Sequence, residues 1–232
     1  MATPTRYPNG VSTDPIGYSL ANYPLPNPTD VYTDFTDFSQ YVSGDWTVTN
    51  TSSHATIGLV AGAGGILKIV GGASSVTSDI GAVQSNPLDF NFSSTQQVWG
   101  TYYIKATTAL NDQILVGLTS SNATLAPSDG IYFNKAAGST NIDFVVKKSS
   151  TATTQSAVAT LVDATYIKLS FYYNGKDAVD VFVNDAKVYS QTTLTNLPTS
   201  TALGQGIGLK AAATAPTTGD VFADFLLTSQ GR

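Results

Sequence analysis

From residue 166 to 189 the side chains alternate. Ile167, Leu169, Phe171 and Tyr173 are interleaved with Tyr166, Lys168, Ser170 and Tyr172. A period of two puts each set on its own face of a β-strand. Asn174-Gly175 follows, a pair that accepts the positive φ angles of a tight hairpin turn. Val179, Val181 and Val183 then alternate with Asp180, Phe182 and Asn184. Asn184-Asp185 marks a second turn before Lys187-Val188-Tyr189. The stretch predicts an antiparallel sheet with one dry face and one wet face. None of its residues reads as catalytic.

The rest of the chain repeats this pattern. Short strands are expected at 31–35, 46–48, 57–60, 66–70, 80–83, 98–104, 114–118, 130–133, 142–146, 157–161, 206–210 and 221–227. Turn residues separate them, the pattern of a sandwich or barrel. The Ser/Thr-rich stretch 149–154 reads as a loop. Residues 88–94 and 194–197 are the places where a short helical turn is expected.

Composition points the same way. Only 12% of the residues are charged, and all 16 acids are aspartate. Glutamate and lysine favour exposed helix positions, so their scarcity argues against helices. Hydrophobic residues make up 42% of the 232, enough for one all-β domain over 31–232. Cysteine is absent, which removes disulfides and thiolate chemistry. A formal net charge of −5 argues against a nucleic-acid-binding surface, which is basic. No run of about 18 apolar residues is present to cross a membrane as a helix. Residues 1–10 lack a basic stretch followed by an apolar run, so synthesis in a host cytoplasm without a signal peptide is expected.

Residues 1–30 form a separate segment. They hold six of the ten prolines, with Tyr7, Tyr18 and Tyr23 among them. Proline fixes φ and withdraws a donor, which disfavours helix and interior strand. Disordered tails are poor in aromatics, and this segment is not. It is expected to be an extended arm lying on its own domain or on a neighbouring subunit, with Tyr7, Pro8, Tyr18, Tyr23, Pro24 and Pro26 as its docking residues.

Side chains suited to catalysis are few. His54 is the one histidine. Without cysteine or glutamate beside it, it makes a poor transition-metal site. No serine sits in a Gly-x-Ser-x-Gly elbow. Asp34 with Asp37, and Asp177 with Asp180, read as turn or strand-edge aspartates. The glycines at 62, 64, 65, 71 and 72 lack the Lys-Ser or Lys-Thr of a phosphate loop. Asn111-Asp112, Asp129, Asn184-Asp185 and Asp220 are oxygen-rich turns, but none matches a recognised calcium loop. No cofactor is expected, with calcium as the minor alternative. Trp46, Tyr102 and Tyr172 are candidates for stacking on a sugar. In Tyr102-Tyr103 and in Tyr172-Tyr173, one ring must face each side of its sheet.

Several segments resemble one known architecture in their order. They are Phe35 with Asp37-Phe38, then Gly65-x-Leu67-x-Ile69, then Tyr102-Tyr103-Ile104-Lys105. The hairpin from 166 to 184 and the closing Phe222, Asp224 and Phe225 complete the series. The chain from about 30 onward resembles the concanavalin A-like, LamG/pentraxin-type jelly roll. The resemblance implies an all-β antiparallel sandwich. Glycosidases of that family use paired glutamates, often in an E-x-D-x-x-E strand, and this chain has none to carry that activity. A jelly roll with a Pro/Tyr arm is also similar to virion surface proteins of tailed bacteriophages. That likeness implies a non-enzymatic capsid decoration or cement protein on the capsid surface. Its arm would dock on the major capsid protein or another virion protein, and it would self-associate, as a trimer. The alternative is a carbohydrate-binding, lectin-like module of a tail fibre or adhesin, with surface glycans as partners.

Overall fold

The computed structural model describes residues 30–51, 56–62, 64–71, 79–212 and 219–232. Fifteen strands lie among them. They are β1 (Val31–Thr36), β2 (Trp46–Asn50), β3 (Thr56–Val60), β4 (Ile66–Val70) and β5 (Ile80–Ser85). Next come β6 (Val98–Ala106), β7 (Gln113–Thr119), β8 (Gly130–Lys135), β9 (Asn141–Lys148) and β10 (Thr151–Thr160). The last five are β11 (Ile167–Tyr173), β12 (Val179–Val183), β13 (Ala186–Gln191), β14 (Gly204–Lys210) and β15 (Asp220–Gly231). One turn of 3-10 helix, Ser43–Asp45, leads into β2. The strands form two antiparallel sheets. The eight-stranded sheet runs β13-β12-β11-β6-β15-β4-β3, with β1 also paired to β15. The seven-stranded sheet runs β10-β9-β8-β7-β14-β5-β2.

β15 ties the larger sheet together. One of its edges follows β6 from Val221↔Ala106 to Gln230↔Val98. The other edge is divided between β4, at residues 220–223, and β1, at residues 226–231. Between the two sections the β6 register shifts at Asp224, the extra residue of a bulge. Simple alternation from Phe222 would turn Phe225 inward. The extra residue instead sends Phe225 outward beside Tyr103 and leaves Leu226 fully buried.

The inward residues of the two sheets share one apolar core. Tyr102, Leu169, Phe171 and Val181 of the larger sheet meet Val116, Phe133, Phe144 and Ile207 of the smaller one. The Phe144 ring lies 5.3 Å from Phe133 and 6.4 Å from Phe171, bridging the layers. Each such side chain contributes about 1.5–3 kcal/mol through burial.

Turn chemistry departs from expectation in one hairpin and matches in the next. Asn184 and Asp185 have φ of 48° and 68°, so both occupy the left-handed region that a two-residue turn between β12 and β13 requires. Asn174-Gly175 does not form a two-residue turn. β11 ends at Tyr173 and β12 starts at Val179, so five residues connect them. The Asn174 Oδ1 accepts from the N–H groups of Lys176, Asp177 and Ala178 at 2.9, 3.0 and 3.1 Å. A side chain that caps three backbone donors stabilises the wider loop.

Three other expectations are corrected. Most of the stretch 149–154 is strand, not loop: Ser149 and Ser150 alone make the turn, with φ of 48° and 67°, and β10 begins at Thr151. β10 lies at the edge of its sheet and is largely exposed, so its threonines need no apolar alternation. Residues 88–94 contain no helical turn. Phe90 makes a two-way bridge to Leu203, with N–H···O distances of 3.0 and 2.8 Å. Residues 194–197 make one tight turn, Leu197 N–H to Leu194 O at 3.0 Å, rather than a helix. The arm expected over 1–30 lies outside the described residues except for Asp30, and so does His54.

Candidate functional site

A sandwich offers two outer faces and its edges to a ligand. The chain itself closes the outer face of the seven-stranded sheet. Residues 120–129, between β7 and β8, fold back over it. Glycines of β14 make room for them. A Cβ on Gly206 would lie 2.5 Å from the Val83 carbonyl oxygen and 2.9 Å from Asn122 Nδ2; one on Gly208 would lie 2.6 Å from Leu125 Cδ2. Leu125 packs with Ile80, Ala82, Leu115, Tyr132 and Val145 in a second apolar cluster. Asn122 Nδ2 donates to Val83 O at 2.7 Å, and Gln113 Nε2 donates to Leu125 O at 3.0 Å. Burial there pushes the Tyr132 hydroxyl up to about 12. The loop fills the space that an extended ligand would need.

The outer face of the eight-stranded sheet carries a row of rings. Phe35 to Phe225 is 6.2 Å, Phe225 to Tyr103 is 5.8 Å, and Tyr103 to Tyr166 is 4.7 Å. Lys105 Nζ sits 4.7 Å from the Tyr166 centroid and 4.9 Å from that of Phe222. Trp99 packs on Tyr172 at 5.3 Å and on Phe182 at 6.1 Å. A hollow of about 290 Å³ beside Tyr103 and Phe225 is rimmed by Asn184 and by the Lys168–Asp185 ion pair of 2.5 Å. These rings contact one another and the lysines, so much of their face area is already in use.

A cleft of about 460 Å³ opens at the sandwich edge where β1 crosses to β2. β1 supplies Tyr32, Asp34 and Phe35, the crossing supplies Asp37 and Asp45, and β2 starts with Trp46. Ser85, Asn86, Pro87 and Asp89 line it as well. Phe38 anchors the crossing. Its φ is 55°, its side chain is fully buried, and its ring stacks on Trp46 at 5.9 Å. Gly65 lets the backbone come close, because a Cβ there would overlap the Phe38 carbonyl oxygen. Asn86 N–H donates to Asp45 O at 3.0 Å and ties residues 85–89 to the crossing.

The cleft is acidic. Asp34, Asp37, Asp45 and Asp89 line it, and its described lining holds no lysine, arginine or histidine. Burial pushes the Asp34 carboxyl up, a hydrogen bond from Gln205 pulls it back, and the Asp89 charge raises it again. The Ser39 N–H, 3.1 Å from Asp37 Oδ1, holds Asp37 below the usual range. Tyr32 O–H donates to Asp89 Oδ2 at 2.7 Å, and burial followed by Asp89 pushes it up to about 12. A buried polar chain stands behind Asp34. Gln205 Nε2 reaches the Asp34 carbonyl at 3.5 Å, Thr228 Oγ1 donates to Gln205 Oε1 at 3.1 Å, and the Tyr102 hydroxyl lies 3.4 Å from Thr228 Oγ1.

The three residues expected to stack on a sugar therefore part company. Trp46 lines the cleft. Tyr102 is fully buried, because on β6 it shares the inward face with Val98 and Ile104, while Tyr103 turns outward. Its place is behind the cleft, not in it. Tyr172 is half-buried against Trp99 on the outer face of the larger sheet. The arm residues Tyr7, Pro8, Tyr18, Tyr23, Pro24 and Pro26 lie outside the described residues. Asp34 is not a solvated edge aspartate; it is a partly buried member of the cleft. Sequence reading missed Tyr32, Asp45 and Asp89, since Asp89 is 57 positions from its partner Tyr32. The one local signal was Tyr32-x-Asp34, which puts both side chains on one face of β1.

The calcium candidates are taken up by the chain's own donors. Asp112 accepts from the N–H groups of Ala212 and Gly219 at 3.1 and 2.7 Å. Asp129 accepts from Ser149 N–H at 2.9 Å and from Ser128 Oγ at 2.8 Å. Asp185 pairs with Lys168, and Asp220 with Lys68 at 2.9 Å. Among the described residues no three His, Cys, Asp or Glu side chains gather into a metal-holding group.

No curated protein matches the chain. Several solved structures share its fold. SO2946 from Shewanella oneidensis MR-1, a protein of unknown function, is 16% identical with a TM-score of 0.62, and 87% of each chain is covered. An endo-1,3-β-glucanase from Streptomyces sioyaensis is 10% identical with a TM-score of 0.62, covering 90% of this chain and 99% of its own. The carbohydrate recognition domain of Emp47p is 9% identical with a TM-score of 0.58, covering 89% of this chain and 100% of its own. At these identities the likeness is one of fold, and that fold is the concanavalin A-like jelly roll. The family model described as SO2946-like, C-terminal domain, matches residues 63–223, and the chain belongs to that family.

Proposed function

We propose that this chain is a non-catalytic recognition domain whose edge cleft binds a saccharide. The composition of that cleft carries the reading. Rings of Tyr32 and Trp46 and the hydrogen-bonding groups of Asp34, Asn86 and Asp89 line one space of about 460 Å³. A sugar needs both kinds of surface. Its C–H faces pack on rings, and its hydroxyls need acceptors at fixed positions. The same fold in a carbohydrate recognition domain and in a glucanase supports the ligand class at the level of architecture. Cleavage is disfavoured by the chemistry available. Glycoside hydrolysis takes two carboxyl groups flanking the scissile bond. The chain has no glutamate to supply the pair that glycosidases of the resembled family use, and the cleft's aspartates are read here as acceptors for a bound sugar.

The test is calorimetric titration of a panel of neutral oligosaccharides into the wild type, Trp46→Ala and Tyr172→Ala, with thermal melts to confirm folding. Binding is expected in the wild type and Tyr172→Ala, and not in a folded Trp46→Ala. A panel without any binder, or a Trp46→Ala protein that binds as the wild type does, overturns the reading. Release of reducing ends from a polysaccharide would make the protein an enzyme instead. The virion setting proposed from the sequence, reached through residues 1–30, is independent of the cleft and is tested separately below.

A further inference from the structure

We infer that residues 18–29 of the same chain dock on the outer face of the eight-stranded sheet, over the rings of Trp99, Tyr172 and Phe182. The inference does not depend on the cleft being a saccharide site. Alternation on β12 puts Phe182 on that face, because Val181 and Val183 on either side of it pack on the core. Phe182 belongs to neither apolar cluster, yet it is 0% exposed. Its register neighbours on the next two strands, Ser170 and Thr101, are 1% and 5% exposed. Trp99 stacks on Phe182 at 6.1 Å, and Tyr172 packs on Trp99 at 5.3 Å. A ring on an outer sheet face with a neighbour beside it keeps one side toward water unless a further segment lies over it.

The place where the chain joins the sheet names that segment. The 29 residues before Asp30 lead into β1, and the Asp30 carbonyl accepts from Arg232 N–H at 3.0 Å. The inward side of this corner is taken. Tyr32 packs on Phe90 at 5.4 Å, and the Gln230 side chain bonds to Asn91 and Gln96. On the outward side one row crosses the strands, from Thr33 through Ser229, Trp99 and Tyr172 to Asp180. Four strand spacings and the offset along β1 make roughly 20–25 Å. About seven residues of extended Pro-rich chain span that distance, which brings Tyr23 to the level of the rings. The composition fits as well. Residues 15–29 carry no charged side chain, and Pro24, Pro26 and Pro28 alternate with Tyr23, Leu25 and Asn27. Pro-rich segments dock on aromatic-lined surfaces with little loss of entropy, because their extended backbone is preformed. The charges bordering the rings are paired, Asp180 with Lys187 at 2.7 Å and Lys168 with Asp185 at 2.5 Å, so an uncharged segment lying there strands none of them.

Trp99 reports on this face once Trp46→Phe has removed the other tryptophan. In that background, acrylamide quenching and emission wavelength are measured for three proteins. They are the full chain, a chain lacking residues 1–28, and the full-length double variant Tyr23→Ser/Leu25→Ser. Thermal melts check folding, and light scattering gives the mass of each. The truncated chain is expected to show stronger quenching and a red-shifted emission at the same oligomeric state as the full chain. The double variant is expected to move in the same direction, and it decides alone if the truncated chain does not fold. A synthetic peptide of residues 15–29 at about 1 mM, the effective concentration of a short tether, is expected to reverse the shift in the truncated chain. Quenching and emission that stay as in the full chain overturn the inference. So does an oligomer that falls to a monomer on truncation, which would assign the cover to a neighbouring copy's segment.

Discussion

Leu125→Ala tests whether the loop over the seven-stranded sheet is packed or merely resting there. Leu125 is 2% exposed and sits among Ile80, Ala82, Leu115, Tyr132 and Val145. Removing a buried leucine side chain costs about 2–5 kcal/mol, depending on how well the site collapses. Solvent can enter above an outer face more readily than inside a core. The lower part of the range, about 2–3 kcal/mol, is therefore expected. For a domain of this size each kcal/mol lowers Tm by about 2–4 °C, so the drop should be roughly 4–12 °C. Urea unfolding gives the free energy directly, and an unchanged m-value shows that both end states are intact. Leu110→Ala is the control. Leu110 is 53% exposed, and its loss should stay within about 0.5 kcal/mol. A Leu125→Ala cost as small as the control's would refute the reasoning. The face would then be open, and binding on it would have to be reconsidered.

Three further outcomes are expected. Lys135 is buried, its Nζ donates to the Asp112 carbonyl, and burial brings its amine down to about 8. The folded state then holds fewer protons than the unfolded state between about pH 8 and 10.4, so stability rises with pH across that window by about 1–3 kcal/mol. Thermal melts from pH 7 to 9.5 should show this rise in the wild type and not in Lys135→Met; parallel curves would contradict it. Gly65→Ala combines a φ of 118° with a Cβ that would overlap the Phe38 carbonyl oxygen, and should cost about 3 kcal/mol or more. A melt within about 2 °C of the wild type would show that the crossing yields freely. Deleting residues 1–28 should turn an oligomer into a monomer by light scattering if the arm is an assembly device. An unchanged mass would count against arm-mediated association.

Much of the fold was legible because strand pairing imposes a period of two wherever one face is dry. Ile167, Leu169, Phe171 and Tyr173 face the core as their spacing required. Where the period failed, a local cause stands out. β10 lacks it because an edge strand buries little. Phe225 breaks it because Asp224 bulges. Asn174-Gly175 misled because a side-chain cap can stabilise a longer turn than the dipeptide suggests. The cleft was far less legible. Asp34 and Asp37 are close in sequence, but their membership of one site depends on Asp45, Asp89 and Trp46, brought in from a second sheet and a distant loop. Side-chain identity gave no hint of that meeting. Tyr102 shows the converse error, for a tyrosine next to another tyrosine tells that one ring faces outward but not which.

The closed face and the open edge are linked by what each asks of the scaffold. Gly206 and Gly208 present no side chain to the outside, and the loop needs that bareness to approach within contact distance. A sheet face built to receive its own loop has given up the side chains that would grip a ligand. Binding groups must then come from segments outside the central strands. The cleft is assembled that way, from the edge strand β1, the crossing to β2 and residues 85–89. Such segments can change sequence without disturbing the pairing of β6, β15 and β14. Besides the Phe38–Trp46 stack, a buried series joins cleft and core, from Tyr102 through Thr228 and Gln205 to the Asp34 carbonyl. That series holds the Asp34 backbone from behind, and Phe38 anchors the crossing, while the exposed Ser39, Gln40 and Val42 are the positions there with room to vary. If the cleft binds a saccharide as proposed, its specificity is expected to lie in residues 36–46, with β1 and the core behind it as the geometric reference.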